Sequence, residues 1–395
     1  MPSDAITLTP TATGHAFTRN PLMLSMPGTG RRVFSIYGQG YSSSQPAYKG
    51  EITAPTTINL AEFIEAIVHS IEDPGENNAI ISYGIQDGCV NIVVTDGENT
   101  LFSREINAIR GGVSKQNYRR LNLAGTDIFE ARFFNSACNF FLTTRTNDWR
   151  LSIKETELYP LVFFYPLQGT VSVQDIVSGN TISLPAVSNE VDFHGKLCAL
   201  NLKAVKQYFL EEYDILAGAF DVLVDDAPAA RIAIQEAHPQ IERYRLKFRN
   251  SYGAFEIIEI TGSAQWAPSI EDDEGEGPYQ RYMADIDDFS TERQRMSMRQ
   301  IINISTGYKT NSELRFILDA IASDECYLLD INEEPIKVIV TAEDLVLQRH
   351  PNGPQSFMLE LKPVDDDTCI TDTISNAAMP TRGGVFSEQF SEQFD

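Results

Sequence analysis

Cysteine is sparse in this sequence. Its five cysteines, Cys89, Cys138, Cys198, Cys326 and Cys369, are odd in number, far apart and never in a C-x-x-C pair. That excludes a disulfide framework or a zinc knuckle and fits reduced, buried thiols in a chain made in a cytoplasm. Histidine is equally scarce: His15, His69, His194, His238 and His350 form no H-E-x-x-H, H-x-x-H or Cys/His cluster, so no metal site is expected. Neither a G-x-S-x-G elbow nor a G-x-x-x-x-G-K-[ST] phosphate loop occurs. Long apolar runs are missing too. "LVFFYPL" at Leu161–Leu167 is broken by Pro166 and falls well short of the ~18–20 residues that span a bilayer. The first residues, "MPSDAITLTPTATG", lack the basic region and apolar core of a signal peptide, so neither secretion nor membrane insertion is expected.

Positive charge is also in short supply. Lys and Arg number 31 against 55 Asp and Glu, a formal charge of −24. Nucleic acid is an unexpected partner for such a chain, because phosphate contacts need clustered Lys and Arg. The acidic field favours solubility and spaces like subunits during encounter.

What the sequence does contain is strand pattern punctuated by turns. In "AIISYGIQDGCVNIVVTDGENTLFSREI" apolar strands break at Asp87-Gly88 and Asp96-Gly97, which reads as a β-meander. "GTGRRVFSIYGQG", Gly28–Gly40, misses the dinucleotide fingerprint and reads as a turn leading into a strand that alternates Val33, Ser35, Tyr37 against Phe34, Ile36. Three helices are expected. The first carries a stripe of Leu60, Phe63, Ile64, Ile67, Val68 and Ile71 behind an Asn59 cap, the second lies in "LNLKAVKQYFLEEY", and the third starts at a Thr310/Glu313 capping box before Leu314, Ile317 and Ile321. The expected fold class is mainly β with a few helices (α+β), built as several sandwich- or barrel-like domains, each with a packed helix. Residues 1–165, 166–240 and 241–365 are the expected folded regions, and 366–395 a C-terminal arm. "SIEDDEGEGPYQ", Ser269–Gln280, reads as an exposed acidic loop.

Chemistry is thin. His69 reads as a boundary residue beside an apolar stripe. His194 and Cys198, four apart, would make a thiol–imidazole pair only on a helix, and Gly195 between them argues for a strand or turn. Consecutive Glu271, Asp272, Asp273 and Glu274 lack the spaced ligands of a calcium loop. A catalytic carboxylate pair is a tertiary property that sequence cannot nominate among 55 acids. The reading is therefore non-enzymatic, with no catalytic, cofactor-binding or metal-binding residue and no cofactor.

Two segments point instead to contacts. "RLKFRNSYGAFEIIEITG", Arg245–Gly262, is a hairpin whose first strand sends Leu246 and Phe248 one way and Arg245, Lys247 and Arg249 the other. Its second strand is apolar on both faces, Phe255 and Ile257 against Ile258 and Ile260, and must be covered on both by another sheet or by a neighbouring subunit. At the end of the chain, "FSEQFSEQFD" repeats Phe386, Phe390 and Phe394 every four residues, a spacing that suits docking onto an adjacent subunit or another protein.

"AFTRNPLMLSM" (Ala16–Met26), "LTTRTNDWRLSIKETELYPLVFF" (Leu142–Phe164), "YRLKFRNSYGAFEIIEITG" (Tyr244–Gly262) and "NISTGYKTNSELRFILDAIASDECYLLDINEEPIKVIVT" (Asn303–Thr341) resemble, in this order, segments of tail and baseplate structural proteins of tailed bacteriophages and prophages of the Bacteroidetes. The resemblance covers most of the chain and rests on packing motifs. It implies a virion structural protein of distal-tail or tail-tip type, made in the host cytoplasm and located in the tail. Its partners would be copies of itself in a ring or hub and other phage tail proteins. It implies no enzyme activity. A second reading is a glycan-binding tail fibre or adhesin that uses some of the 15 Tyr and 22 Phe as stacking platforms. A third is an envelope hydrolase with an acid pair in a cleft.

Overall fold

Alternation in "MLSMPGTGRRVFSIYG" puts Leu24, Met26, Phe34 and Ile36 on one face of a long strand, Met23–Gly38, and all four are buried. The structure is a computed structural model that describes residues 5–9, 13–38, 45–85, 88–123, 126–134, 140–145, 149–165, 169–184, 196–236, 243–276, 291–329, 335–342 and 353–365. The chain is mainly β, an α+β fold with four separate sheets and five α-helices among the described residues. It divides into two compact units, one of residues 1–265 and 302–362 and a smaller one of residues 266–301 and 363–395.

In the first unit, a six-stranded sheet runs in the order Thr7–Thr9, Met23–Gly38, Cys89–Thr95, Thr100–Ile109, His15–Phe17, with Tyr48–Asn59 also paired to Met23–Gly38. The Asp96-Gly97 turn joins two of these strands, as the turn chemistry predicts. The other half of the expected meander fails. Ile81–Tyr83 pairs not with Cys89–Thr95 but with Leu197–Leu200, because a three-residue apolar strand is recruited by whichever sheet buries it.

The first expected helix is short, only Ala61–Glu65, although Leu60, Ile64, Val68 and Ile71 are all buried. Leu60, Ile64 and Val68 pack on the six-stranded sheet, whereas Ile71 belongs to a different cluster with Phe17, Phe129 and Tyr252. A straight helix would keep the stripe on one core, and reaching the second core requires leaving it. Exposed His69 therefore lies beyond the helix.

A five-stranded sheet follows, in the order Thr181–Ser183, Val171–Asp175, Ala219–Val224, Ala227–Gln235, Arg150–Lys154, the last pair parallel. Helix Leu202–Tyr213 packs here through Leu202, Val205 and Phe209, with the Phe209 ring stacked 5.6 Å from Phe220. Asn201 caps it by accepting from the N–H groups of Lys203 and Ala204. Leu161–Phe164 and Leu197–Leu200 pair in the three-stranded sheet and are buried on both faces, one toward Phe220 and the other toward Phe129. Cys198 lies in this interior, and burial pushes its thiol up to about 12; His194 lies outside the described residues. Strands from both sides of residue 165 thus share sheets.

The last sheet runs Phe255–Ile260, Tyr244–Arg249, Cys326–Leu329, Ile336–Ala342, Met358–Pro363, Thr291–Ser305, Ala264–Glu276. Helix Asn311–Ile321 lies on it with the expected capping box: Glu313 N–H donates to Thr310 Oγ1 and Thr310 N–H to Glu313 Oε2. The segment expected to be an acidic loop is, through Glu276, part of strand Ala264–Glu276. Pairing with a long partner strand supplies main-chain bonds that an acidic composition does not reveal. Residues 266–276 and 291–301 of these two strands, with residues 363–365, make up the described part of the smaller unit. The Phe386, Phe390 and Phe394 arm lies outside the described residues.

The polar corner of the quoted hairpin is not a solvent turn. Asn250 is buried, its Nδ2 donating to Leu142 O and to Glu256 Oε1 and its Oδ1 accepting from the N–H groups of Tyr252 and Ala254. Gly253 at φ 91° carries the corner against residue 110, where a Cβ would lie 2.4 Å from the Arg110 carbonyl oxygen. Asn250→Ala is expected to cost on the order of 3 kcal/mol or more, since it orphans several buried groups at ~1–3 kcal/mol each. A chemical denaturation midpoint measures it, and a change below about 1 kcal/mol would mean that water replaces the side chain.

Candidate functional site: a charged seam on a sheet edge

Strand Phe255–Ile260 ends its sheet, so one row of its main-chain N–H and C=O groups has no neighbouring strand. In an antiparallel pair these groups belong to alternate residues, here 257 and 259. Charged side chains take the place of the missing strand. The Arg145 guanidinium donates to Ile257 O, Glu157 Oε1 accepts from Glu259 N–H at 2.8 Å, and Lys309 Nζ donates to Glu259 O at 2.7 Å. Glu157 is delivered by the 3₁₀ turn Glu155–Glu157 that follows strand Arg150–Lys154, and Lys309 by the residue before the Thr310 cap.

The same charges pair with one another. Arg145 Nη1 lies 2.7 Å from Glu157 and Nε 3.2 Å from Glu256, with the guanidinium 4.2 Å over the Phe316 ring. Glu256 also accepts from Thr143 Oγ1 at 2.8 Å and Asn250 Nδ2 at 2.6 Å. Glu259 Oε2 accepts from the Thr156 hydroxyl and pairs with Arg243 at 3.0 Å. Lys154 lies 3.4 Å from Glu313 and 3.9 Å from Glu259.

Burial would raise the Glu157 carboxyl, but Arg145 and the Glu259 N–H outweigh it and hold the group below the usual range. At Glu256 burial wins, because Arg145, Asn250 and Thr143 offset it only in part, and the carboxyl is raised. Burial followed by the neighbouring Lys154 ammonium brings Lys309 down to about 8.

Two carboxylates pushed apart in acidity resemble the acid and base of a glycosidase. Their geometry is different. Both grip one guanidinium, and only Glu157 reaches the cleft of about 390 Å³ lined by Arg150, Ser152, Lys154 and Phe316. Opposed carboxylates flanking a cleft are what glycoside hydrolysis requires. What this pair can do is seal an edge.

The four residues expected at a subunit contact are therefore placed differently. Ile258 and Ile260 pack under helix Asn311–Ile321 with Leu246 and Phe248, and Phe255 and Ile257 pack with Tyr159 beside Tyr327 and Leu329. All four are buried within one chain and present no surface to a second copy. The cationic face of the preceding strand is covered as well. Lys247 bonds Asp73 at 2.6 Å over the rings of Phe255 and Tyr327, and Arg249 donates to Ile71 O and pairs with Glu325 at 2.7 Å. Two-sided apolarity signalled the burial of Phe255–Ile260, and the charged residues that complete it carried no sequence signal. Among the described residues no group of His, Cys, Asp or Glu is placed to hold a metal ion. No family model and no curated protein matches this chain.

Proposed function

We propose that the protein is a virion structural protein of a phage tail or baseplate, a non-enzymatic subunit that assembles with copies of itself into a ring or hub and binds other tail proteins. The observation that carries this reading is the asymmetry of the seven-stranded sheet. One edge, Phe255–Ile260, is sealed by charges, whereas the other, Ala264–Glu276, is thirteen residues long and pairs on its far side with no strand among the described residues. A long edge strand with a free row of main-chain groups can pair with a strand of another chain, which gives each subunit a place to join a neighbour.

Electron microscopy of the purified protein and of gold-labelled parent particles tests this. A closed ring on the tail axis is expected; a protein that stays monomeric when concentrated and is absent from particles would overturn the reading. Replacing Phe386, Phe390 and Phe394 together by Ser is expected to leave the unfolding midpoint unchanged and to weaken assembly, each ring contributing ~1–3 kcal/mol on burial. Equal sedimentation of triple variant and parent would remove the arm from the assembly.

A further inference from the structure

One helix concentrates charge of the sign this chain is short of. Helix Lys115–Leu123, "KQNYRRLNL", packs through Tyr118 and Leu121 against the cluster that holds Phe17 and Phe129, and the Tyr118 hydroxyl donates to Pro21 O at 2.8 Å. Its other side presents Lys115, Arg119 and Arg120 to solvent. Cations on this acidic chain generally meet carboxylates, as Arg31 meets Glu51, Lys203 meets Glu76 and Lys206 meets Glu155. These three form no ion pair among the described residues, although acids outnumber bases 55 to 31.

No contact within the chain offsets their placement. Lys115 opens the helix, where the positive end of the helix dipole disfavours a cation, and Arg119 follows four residues later, a spacing at which like charges repel. The adjacent cleft, about 640 Å³, does not neutralise them. Its two carboxylates are Glu65, already shared by Arg19 and Arg110, and Glu62, which is exposed and outside ion-pair distance. Where local rules are broken without compensation inside the fold, the residues are expected to serve a contact outside it.

The same sequence holds the complement. Strand Ala264–Glu276, the open edge of the seven-stranded sheet, ends in Glu271, Asp272, Asp273, Glu274 and Glu276, five acids in six residues. At ~3.3 Å per residue that run extends ~20 Å, comparable with the ~13 Å axis of the helix and the reach of its long side chains. A free edge and a dense negative run thus coincide on one strand. A nucleic acid would also match the cations, but its charge would continue past the helix onto Glu62 and Glu65, whereas a short acidic segment ends.

We propose that helix Lys115–Leu123 is the docking surface for the acidic end of strand Ala264–Glu276 from a second copy of this chain. Because the two surfaces differ, the contact is heterologous and passes from copy to copy. The inference rests on the assembly reading and names the surface that its free edge meets.

Charge exchange tests it, read by sedimentation velocity at about 50 mM salt, where the contact is weakly screened. One variant carries Lys115→Glu, Arg119→Glu and Arg120→Glu, all at exposed positions that leave the fold intact. A second carries Glu271→Lys, Asp272→Lys, Asp273→Lys and Glu274→Lys. Each alone is expected to self-associate at least about ten-fold more weakly than the parent. Mixed one to one they are expected to recover assembly, since each then meets the opposite charge on its neighbour. Self-association of the helix variant equal to the parent's, or two folded variants that stay apart when mixed, would overturn this inference alone. In the first case, a short oligonucleotide bound by the parent and not by the helix variant would assign the helix to a polyanion instead. A parent that stays monomeric would overturn the inference and the assembly reading together.

Discussion

Arg145→Ala is expected to destabilise the protein by about 3–5 kcal/mol, the cost of leaving a buried ion pair without one partner. Arg145 is held between Glu157 and Glu256 and also donates to the Ile257 carbonyl. Its removal strands two buried carboxylates and one outward carbonyl of the edge strand. Glu256 can escape part of this cost by taking a proton, since burial already raises it, whereas Glu157 would lose the main influence that holds it ionised. Arg145→Lys should recover only part of the loss, because a single ammonium cannot present the planar fork that reaches three acceptors. Guanidinium unfolding at neutral pH measures both. A loss below about 1 kcal/mol for the alanine variant would mean that water enters the seam, and the sealed-edge account would fail.

A steep loss of stability above pH 9 is the second large effect expected. Burial pushes Cys198 and Cys326 up to about 12 from an ordinary value of 9.0. A folded-state value above the unfolded one stabilises the fold fully below pH 9 and ceases to do so as pH rises toward 12. Each thiol alone then removes about 1.4 kcal/mol per pH unit. Burial and a carboxylate neighbour raise Tyr327 in the same direction, to about 12 from 10.0. Lys309 acts oppositely. Its proton is lost near 8 in the folded chain and near 10.5 in the unfolded one, so in that window the unfolded chain binds more protons and stability rises with pH. The sum is a near-level profile from pH 8 to 9 followed by a fall. Urea midpoints between pH 7 and 11 should show it, with Cys198→Ala flattening the fall and Lys309→Met steepening it between pH 9 and 10.5. If Lys309→Met leaves the slope unchanged, the lysine does not titrate in the seam as described.

The parts of the fold legible in the sequence were those encoded within a dozen residues. Thr310 and Glu313 announced their helix because both halves of a capping box lie in one turn, and the run "LNLKAVKQYFLEEY" marked Leu202–Tyr213. The Asp96-Gly97 hairpin was legible for the same reason. Helices Lys115–Leu123 and Ile128–Arg132 were not, the first being polar with a narrow apolar stripe and the second a single turn wedged among Phe17, Phe133 and Phe164. The stripe from Leu60 to Ile71 was right about burial and wrong about helix length, because periodicity reports which residues avoid water and not how many cores receive them.

By itself the sequence determined that this is an acidic, β-rich chain without a recognisable catalytic motif, and that Phe255, Ile257, Ile258 and Ile260 must be covered on both sides. Only the tertiary structure decided what covers them. Two-residue periodicity states that a side chain leaves water, but the same pattern serves a subunit contact and an internal packing equally well. Helix Asn311–Ile321 lies on one face and Tyr159 with Tyr327 and Leu329 on the other, and the outward main-chain row is closed by Arg145, Glu157 and Lys309, which are separated in sequence from the edge strand by 50 to more than 100 residues. Each is a charged residue that, read locally, belongs on a surface. Their burial follows from the unpaired main-chain groups of an edge strand, and a strand becomes an edge only when the whole sheet has been ordered.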